Sequence, residues 1–227
     1  MHRIHYHFGV VLALILVSIG FQMAAGESDW ARLVTVTLQA VTLVAAVVAS
    51  RAHPQVIRLA VIAGVVAIIG SALAFSVTDE FGHPSGRGIT LLLVALVPPA
   101  LVSGMVKMFR EEGSITVETM FGGLCIYLLV GLFFGTAFGA LEEISGDAFF
   151  HQLTTSQAET NDFLYFSFTT ITTVGYGDLT AATNLGRSLA MMEALVGQIY
   201  LVTVVAVIIS NMRSGRRAAT RRAAKSG

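Results

Sequence analysis

The sequence predicts an all-α membrane protein with six transmembrane helices, and with a short re-entrant helix and loop between helices five and six. Of the 227 residues, 55% are hydrophobic and 12% are charged, whereas a soluble chain has about 25% charged residues. The mean hydropathy is +0.76, and apolar runs of about 20 residues recur along the chain. This balance excludes a soluble enzyme and indicates that lipid surrounds most of the chain.

Six apolar stretches are long enough to cross a bilayer as helices, because about 20 helical residues cross about 30 Å of hydrocarbon. Short polar connections separate the stretches, which lie at about 8–26, 31–50, 56–77, 88–109, 119–141 and 185–212. The first stretch could instead be a secretory signal, because Arg3 precedes its apolar core and Ala24-Ala25-Gly26 follow it. We favour a retained helix.

The placement of the charges predicts the orientation in the membrane. The 14 basic residues equal the 14 acidic residues in number, so no excess of positive charge indicates a nucleic-acid partner. If both termini are cytoplasmic, only Arg32, Arg87 and Arg187 of the basic residues fall outside. The positive-inside rule favours this arrangement. We therefore expect a multi-pass protein of the cell membrane with both termini in the cytoplasm.

The segment between the fifth and sixth stretches is too long for a simple loop. Its apolar part starts at a capping residue, Asn161 or Asp162, and ends at Ile171. A helix of about ten residues is about 15 Å long, half the thickness of the hydrocarbon layer. Such a helix enters the membrane and does not cross it.

The sequence that follows this helix, residues 172–178, predicts an irregular backbone at membrane depth. Lipid cannot satisfy bare amides and carbonyls, so such a backbone lines a water-filled path or is buried in protein. Gly175 and Gly177 can take positive φ while their neighbours do not. Successive carbonyls can then point toward one axis, where a ring of oxygens replaces the hydration shell of a monovalent cation.

The heptapeptide Thr172-Thr173-Val174-Gly175-Tyr176-Gly177-Asp178 resembles the selectivity filter of potassium channels. The chain as a whole resembles a six-span tetrameric bacterial potassium channel, and the resemblance covers about 95 residues, from the fifth span to the end of the sixth. It implies stacked K⁺ sites formed by the backbone carbonyls and the Thr173 hydroxyl. The ion-binding residues are then Thr173, Val174, Gly175, Tyr176 and Gly177.

The resemblance also implies roles for residues around the filter. Asp178 would lie at the outer mouth and brace the loop from behind, with Thr172 and Thr169 as further supports of the filter. Some members of the family have a Glu at the position of Thr169, so an acidic brace to Asp178 is absent here. Gly197 falls where family members often place a hinge in the inner helix.

A closed ring of carbonyls needs four filter strands, and one chain supplies one, so a homotetramer with four-fold symmetry is expected. K⁺ ions are the conducted species, and no organic cofactor is expected. The resemblance divides the chain into three parts. Residues 1–112 resemble a voltage-sensor domain without gating arginines, residues 113–212 form a pore domain, and residues 213–227 form a basic cytoplasmic tail.

The sixth span is expected to line the conduction path on one face, at Gly197, Leu201, Val205 and Ile209. In the fifth span, Gly131, Gly135 and Gly139 recur every four residues, which is typical of close helix packing. Glu193 is an ionisable residue at membrane depth and therefore a functional candidate. It is either part of a pH-sensitive gate or a hydrogen-bond partner of the re-entrant helix, at Thr169 or Thr170.

The fourth span contains no charged residue between Ile89 and Val106, whereas voltage sensors carry repeated Arg or Lys there. We therefore expect gating by lipid, by pH or by another stimulus, or a leak-like channel. Pro98-Pro99 should bend the fourth span, either as a static bend or as a hinge coupled to the pore.

The tail has five Arg and one Lys, which could bind anionic lipid headgroups. The alternative is a partly disordered end that only fixes the topology. Two other functions compete with a channel. One is a K⁺ transporter subunit, although transporters that resemble these channels usually carry four degenerate filter repeats in one chain. The other is a membrane sensor or interaction protein with a secondary pore.

Overall fold

The computed structural model describes residues 8–25, 29–49, 54–77, 117–153 and 158–223. Within these ranges the regular structure is α-helical and no strand is formed beyond one isolated bridge. The predicted all-α class is confirmed for this part of the chain. The predicted fourth span, 88–109, with Pro98-Pro99, lies outside the described residues.

Six helices occupy the described ranges: α1 Phe8–Ala24, α2 Asp29–Ala49, α3 Pro54–Val77, α4 Val117–Ser145, α5 Thr160–Ile171 and α6 Asn184–Ala223. Their starts and ends agree with the apolar stretches for α1 to α3, because polar residues flank those stretches on both sides. Helix α4 corresponds to the fifth predicted span and continues about one turn beyond it. Helix α5 corresponds to the predicted re-entrant helix, and α6 contains the sixth span.

Helix α6 is 40 residues long and continues through the basic segment to Ala223. The expectation of a partly disordered tail is therefore wrong for residues 213–223. Ala and Arg are strong helix formers, and an existing helix extends at little cost because its nucleus is already formed.

One helical segment of the described residues, Met120–Ser145, is long and apolar enough to cross a membrane. Three further apolar helices are shorter by the same measure and cover Phe8–Ala24, Leu33–Ala49 and Pro54–Ile69. These segments agree with a helical membrane protein. The number of spans and their orientation stay predictions.

Helix α1 connects the two halves of the described structure. It packs against α2 on one side and against α4 and α5 on the other, and α2 packs against α3. Phe8, Val11 and Ile15 lie on its buried face. The Cys125 thiol of α4 lies 3.7 Å from the Phe8 carbonyl oxygen. The first helix is thus a structural part of the fold that contacts α4 and α5 directly.

Helices α4, α5 and α6 all pack against one another. At two positions of α4 an added Cβ would come closer than 3.0 Å to α5. A Cβ at Gly131 would lie 2.8 Å from the Phe168 ring, and a Cβ at Gly135 would lie 2.8 Å from a Leu164 methyl group. The predicted close packing of the fifth span is confirmed at these two residues.

Candidate ion-conduction site

The site is built around α5, whose 12 residues give a length of about 18 Å. Its N-cap is Glu159, so the expected start at Asn161 or Asp162 is too late by two or three residues. Asp162 is instead the third residue of the helix, and its carboxylate accepts the Glu159 amide at 2.9 Å. The Glu159 side chain in turn accepts the Asp162 amide. The two residues thus form a capping box, in which each side chain binds the backbone amide of the other.

An aromatic cluster holds the N-terminal half of α5 in place. It joins α5 to α4 and to the segment before α5, and its members are Phe138, Phe149, Phe150, Phe163 and Phe166. Their ring centroids are 4.9–5.9 Å apart. Such spacings are favourable for tilted and edge-to-face rings. The direction of α5 is therefore fixed before the chain reaches residue 172.

Directly after α5, the backbone alternates between ordinary and left-handed conformations. Gly175 and Gly177 have φ of 50° and 80°, and Thr173 has φ of 60°. Positive φ at the two glycines was expected, and it is confirmed. Thr173 adds a third left-handed position that sequence reasoning missed, because a β-branched residue is rarely found there. The strained residue is held by its surroundings, as functional sites often require.

The amides in the first part of this loop donate to carbonyl oxygens of α5. The Thr169 carbonyl accepts the Val174 and Gly175 amides at 2.9 and 3.0 Å, and the Thr170 carbonyl accepts the Thr173 amide at 2.9 Å. Within the described residues, no hydrogen bond uses the carbonyl oxygens of residues 173–177. These oxygens are therefore available to a ligand. Residues 172–178 are exposed, with Val174 at 52% and Tyr176 at 72%.

Asp178 is braced by a tyrosine of α5. The Tyr165 hydroxyl donates to Asp178 Oδ2 at 2.8 Å, and the Tyr165 ring stacks on Tyr176 with centroids 6.3 Å apart. The Thr169 hydroxyl donates to the Phe166 carbonyl of its own helix. Sequence reasoning missed Tyr165, although it lies one helical turn before Thr169 on the same side of the helix.

A short segment before α5 clamps the chain that leaves the loop. We call residues 149–152 the outer strap. Phe150 and Ala181 form an antiparallel bridge, and the Ala182 amide donates to the Phe149 carbonyl at 2.7 Å. The Gln152 side chain bonds to both the amide and the hydroxyl of Thr180. No periodic pattern in the sequence signals this clamp.

Arg187 connects the first turn of α6 to the outer strap and to the chain that the strap clamps. Its Nε donates to the Ala181 carbonyl at 3.0 Å, and its Nη2 lies 2.9 Å from His151 Nε2. Glu142, at the end of α4, accepts the Phe149 amide at 2.8 Å. The outer strap is thus fixed by α4 and α6 as well as by the chain that it clamps.

Gly197 lies against the end of α5. An added Cβ would lie 2.8 Å from the Ile171 carbonyl oxygen, so this contact requires glycine. The same carbonyl accepts the Tyr127 hydroxyl of α4 at 3.0 Å. Helix α6 continues through Gly197 without a break. The expected role of Gly197 as a hinge stays a prediction.

The expected lining of the sixth span is described only in part. Gly197 is buried against Ile171, and Leu201 is exposed. The side chains of Val205 and Ile209 lie outside the described ones. The exposed apolar side chains of this part of α6 also include Leu195, Val196, Ile199 and Val202.

Glu193 is fully buried and contacts α5 at Ser167, not at Thr169 or Thr170. The expectation of a hydrogen bond to the re-entrant helix is therefore correct in its helix and wrong in its residue. The register of the two helices decides this. Gly197 lies at Ile171, so the residue one turn before Gly197 meets the residue one turn before Ile171.

Part of this chain is similar to a known protein family. Residues 115–214 match the model of a family described as ion channel. The matched range contains α4, α5, the loop at 172–178 and most of α6. The match supports an ion channel and a protein that transports rather than catalyses, and the apolar helix α4 supports a membrane location. No curated protein and no solved structure matches the chain.

Proposed function

We propose that this chain is the subunit of a homotetrameric, K⁺-selective channel that conducts passively. The observation that carries the proposal is the loop at 172–178. The amides of residues 172–175 donate to α5, the carbonyl oxygens of residues 173–177 have no partner among the described residues, and left-handed residues alternate along the loop. A ring of such carbonyls can replace the water around a dehydrated cation.

The exposure of this loop supports the proposed tetramer. In one chain, residues 172–178 face outward from the end of α5, and one strand cannot surround an ion. Four copies around one axis give each ion a closed shell of oxygens. The C-terminal ends of four α5 helices would then point toward the axis, where their dipoles favour a cation.

The exposed surface of α6 agrees with such an assembly. Large apolar side chains are exposed along it at Leu185, Met191, Met192, Leu195 and Ile199. In a soluble monomer an apolar patch of this kind is rare. Lipid and neighbouring subunits would cover it in the proposed channel.

Membrane voltage is not the proposed stimulus. Residues 89–106 contain no Arg, Lys, Asp or Glu, whereas each gating charge that crosses 100 mV contributes about 2.3 kcal/mol. Lipid, pH or another stimulus is left to control the pore.

The proposal is tested by K⁺ efflux from liposomes that contain the purified protein. We expect efflux of K⁺ and no comparable efflux of Na⁺. Gly175→Ala should abolish K⁺ efflux, because alanine resists φ of 50°. Gly146→Ala is the matched control, since Gly146 also has positive φ and open space around it but lies in the turn after α4.

Three results would contradict the proposal. Absence of any flux would exclude a channel, and equal flux of K⁺ and Na⁺ would exclude K⁺ selectivity. K⁺ movement that requires coupled H⁺ or Na⁺ movement would indicate a transporter.

A further inference from the structure

The three helices around the candidate filter meet in two stacked layers. The first layer contains Gly131 of α4, Ser167 of α5 and Glu193 of α6. The second layer contains Tyr127, Ile171 and Gly197 of the same helices. On each helix the two members are four residues apart, which is about one turn. The second layer ends at Ile171, the last helical residue before the filter.

The first layer contains more hydrogen-bond contacts than the single hydrogen of Ser167 can serve. The Ser167 hydroxyl oxygen lies 2.6 Å from the Gly131 carbonyl oxygen and also in hydrogen-bond contact with Glu193 Oε1. A serine hydroxyl carries one hydrogen, and a carbonyl can only accept. If Ser167 donates to Gly131, the contact with Glu193 needs a hydrogen on the carboxyl group.

The surroundings of Glu193 also favour the neutral acid. Its second oxygen, Oε2, is buried and has no hydrogen-bond partner within the described residues. A buried carboxylate with one bare oxygen and no cation beside it is costly, and a neutral acid is less so.

No charged group among the described residues offsets the free-energy cost of burying an ionised Glu193. The titratable group that interacts with Glu193 from α4 is the Tyr127 hydroxyl. The other described charged side chains of α4, α5 and α6 lie toward the helix ends, at Glu142 and Glu143 of α4, Asp162 of α5, and Arg187 of α6 itself. Helix α1, which packs on α4 and α5, contains no charged residue.

We infer that Glu193 is protonated in this arrangement, and that its proton makes it a positioning residue for the filter. The Glu193 hydroxyl donates to Ser167, and Ser167 donates to the Gly131 carbonyl, so one chain of hydrogen bonds joins α6, α5 and α4. Loss of the proton would turn the Ser167 hydrogen toward the carboxylate and release Gly131. The contacts of the first layer would then weaken, one helical turn before Ile171, the last helical residue before the candidate filter.

This inference deepens the proposed function, because it assigns a regulator to the same pore. The direction of the effect follows from the proton count. The arrangement requires the proton, so the connection is present at low pH and is lost as the pH rises. Among the residues around the filter, Glu193 therefore controls how firmly α5 is held by both of its neighbours.

Infrared absorption of the full-length protein in liposomes tests the proton directly, because a protonated carboxyl group absorbs separately from a carboxylate. We expect the acid band in the wild type and in Glu143→Gln, which changes an exposed carboxyl of α4. Glu193→Gln should lose the band, since no acid remains there. Ser167→Ala should keep the band at a shifted frequency, because the acid has lost its acceptor.

The same preparations give a pH profile of K⁺ efflux. Efflux should depend on pH in the wild type and in Glu143→Gln. In Glu193→Gln it should be independent of pH, since a neutral amide can still donate to Ser167. An acid band that survives Glu193→Gln, or that is absent from the wild type, overturns the inference. A band that behaves as expected without any K⁺ efflux leaves the inference standing and overturns the proposed channel.

Discussion

At the scale of single residues, the candidate filter is held from behind by side chains of α5. Tyr165 donates to Asp178 and stacks on Tyr176, so one residue supports both the outer mouth and a proposed ion-binding residue. Thr169 contributes through its carbonyl oxygen, which accepts two amides of the loop. A tyrosine one turn before Thr169 therefore makes the contact with Asp178 from α5.

We expect Tyr165→Phe to shorten the time for which the pore conducts after it opens. The substitution keeps the ring that stacks on Tyr176 and removes the hydrogen bond to Asp178. Single-channel recording in planar bilayers measures the change as shorter bursts of K⁺ current.

Tyr200→Phe is the control for this change, because the Tyr200 hydroxyl also donates one hydrogen bond, to the Gly123 carbonyl oxygen, away from the candidate filter. Bursts of wild-type length in Tyr165→Phe would show that the Asp178 contact does not support conduction. Equal shortening in both variants would mean that the loss of either tyrosine hydroxyl has the same effect, and that the effect is not specific to Tyr165.

At the scale of helices, the contact between α4 and α5 positions the filter. An added Cβ at Gly135 would meet a Leu164 methyl group at 2.8 Å, the Leu164 Cα at 3.2 Å and the Phe163 carbonyl oxygen at 3.3 Å. Two of these atoms belong to the backbone of α5, so the helices must separate to admit a methyl group.

We expect Gly135→Ala to destabilise the protein by about 1–3 kcal/mol, the usual cost of overpacking. Thermal unfolding in detergent, followed by circular dichroism, measures the effect as a lower midpoint. In Gly20→Ala of α1 the added Cβ has no atom within 4 Å, so helix propensity should raise stability by up to about 1 kcal/mol. A midpoint of Gly135→Ala at or above that of Gly20→Ala would contradict the packing.

How far the sequence alone could predict this site depends on whether a feature is local. Positive φ at Gly175 and Gly177 is a property of glycine at those positions, and it was predictable. The contact of Glu193 with Ser167 joins residues 26 positions apart, and it depends on the register that Gly197 sets against Ile171. Single-sequence reasoning placed the partner on the correct helix and missed it by two or three residues. The outer strap was not predictable, because its bonds join one loop to another loop and to the ends of two helices.

At the scale of the whole molecule, the proposal requires four chains and no response to voltage. Native mass spectrometry should give a mass four times the 24.1 kDa of one chain, because only a closed ring of filter strands can enclose an ion. A stable monomer or dimer that conducts K⁺ would contradict the assembly.

We expect open probability to stay constant between strongly negative and strongly positive membrane potentials, because residues 89–106 carry no charge that the field could move. Recording single channels at a series of voltages measures this. A steep sigmoidal rise in open probability with voltage would require charges in another part of the chain.

The reversal potential of the current, measured in a planar bilayer with K⁺ on one side and Na⁺ on the other, tests the central claim most directly. If the carbonyls of residues 173–177 select K⁺, the current reverses far from zero, on the side of the K⁺ equilibrium potential. A reversal potential near zero, with measurable current, would mean that the pore does not distinguish the two ions and would contradict the proposed filter.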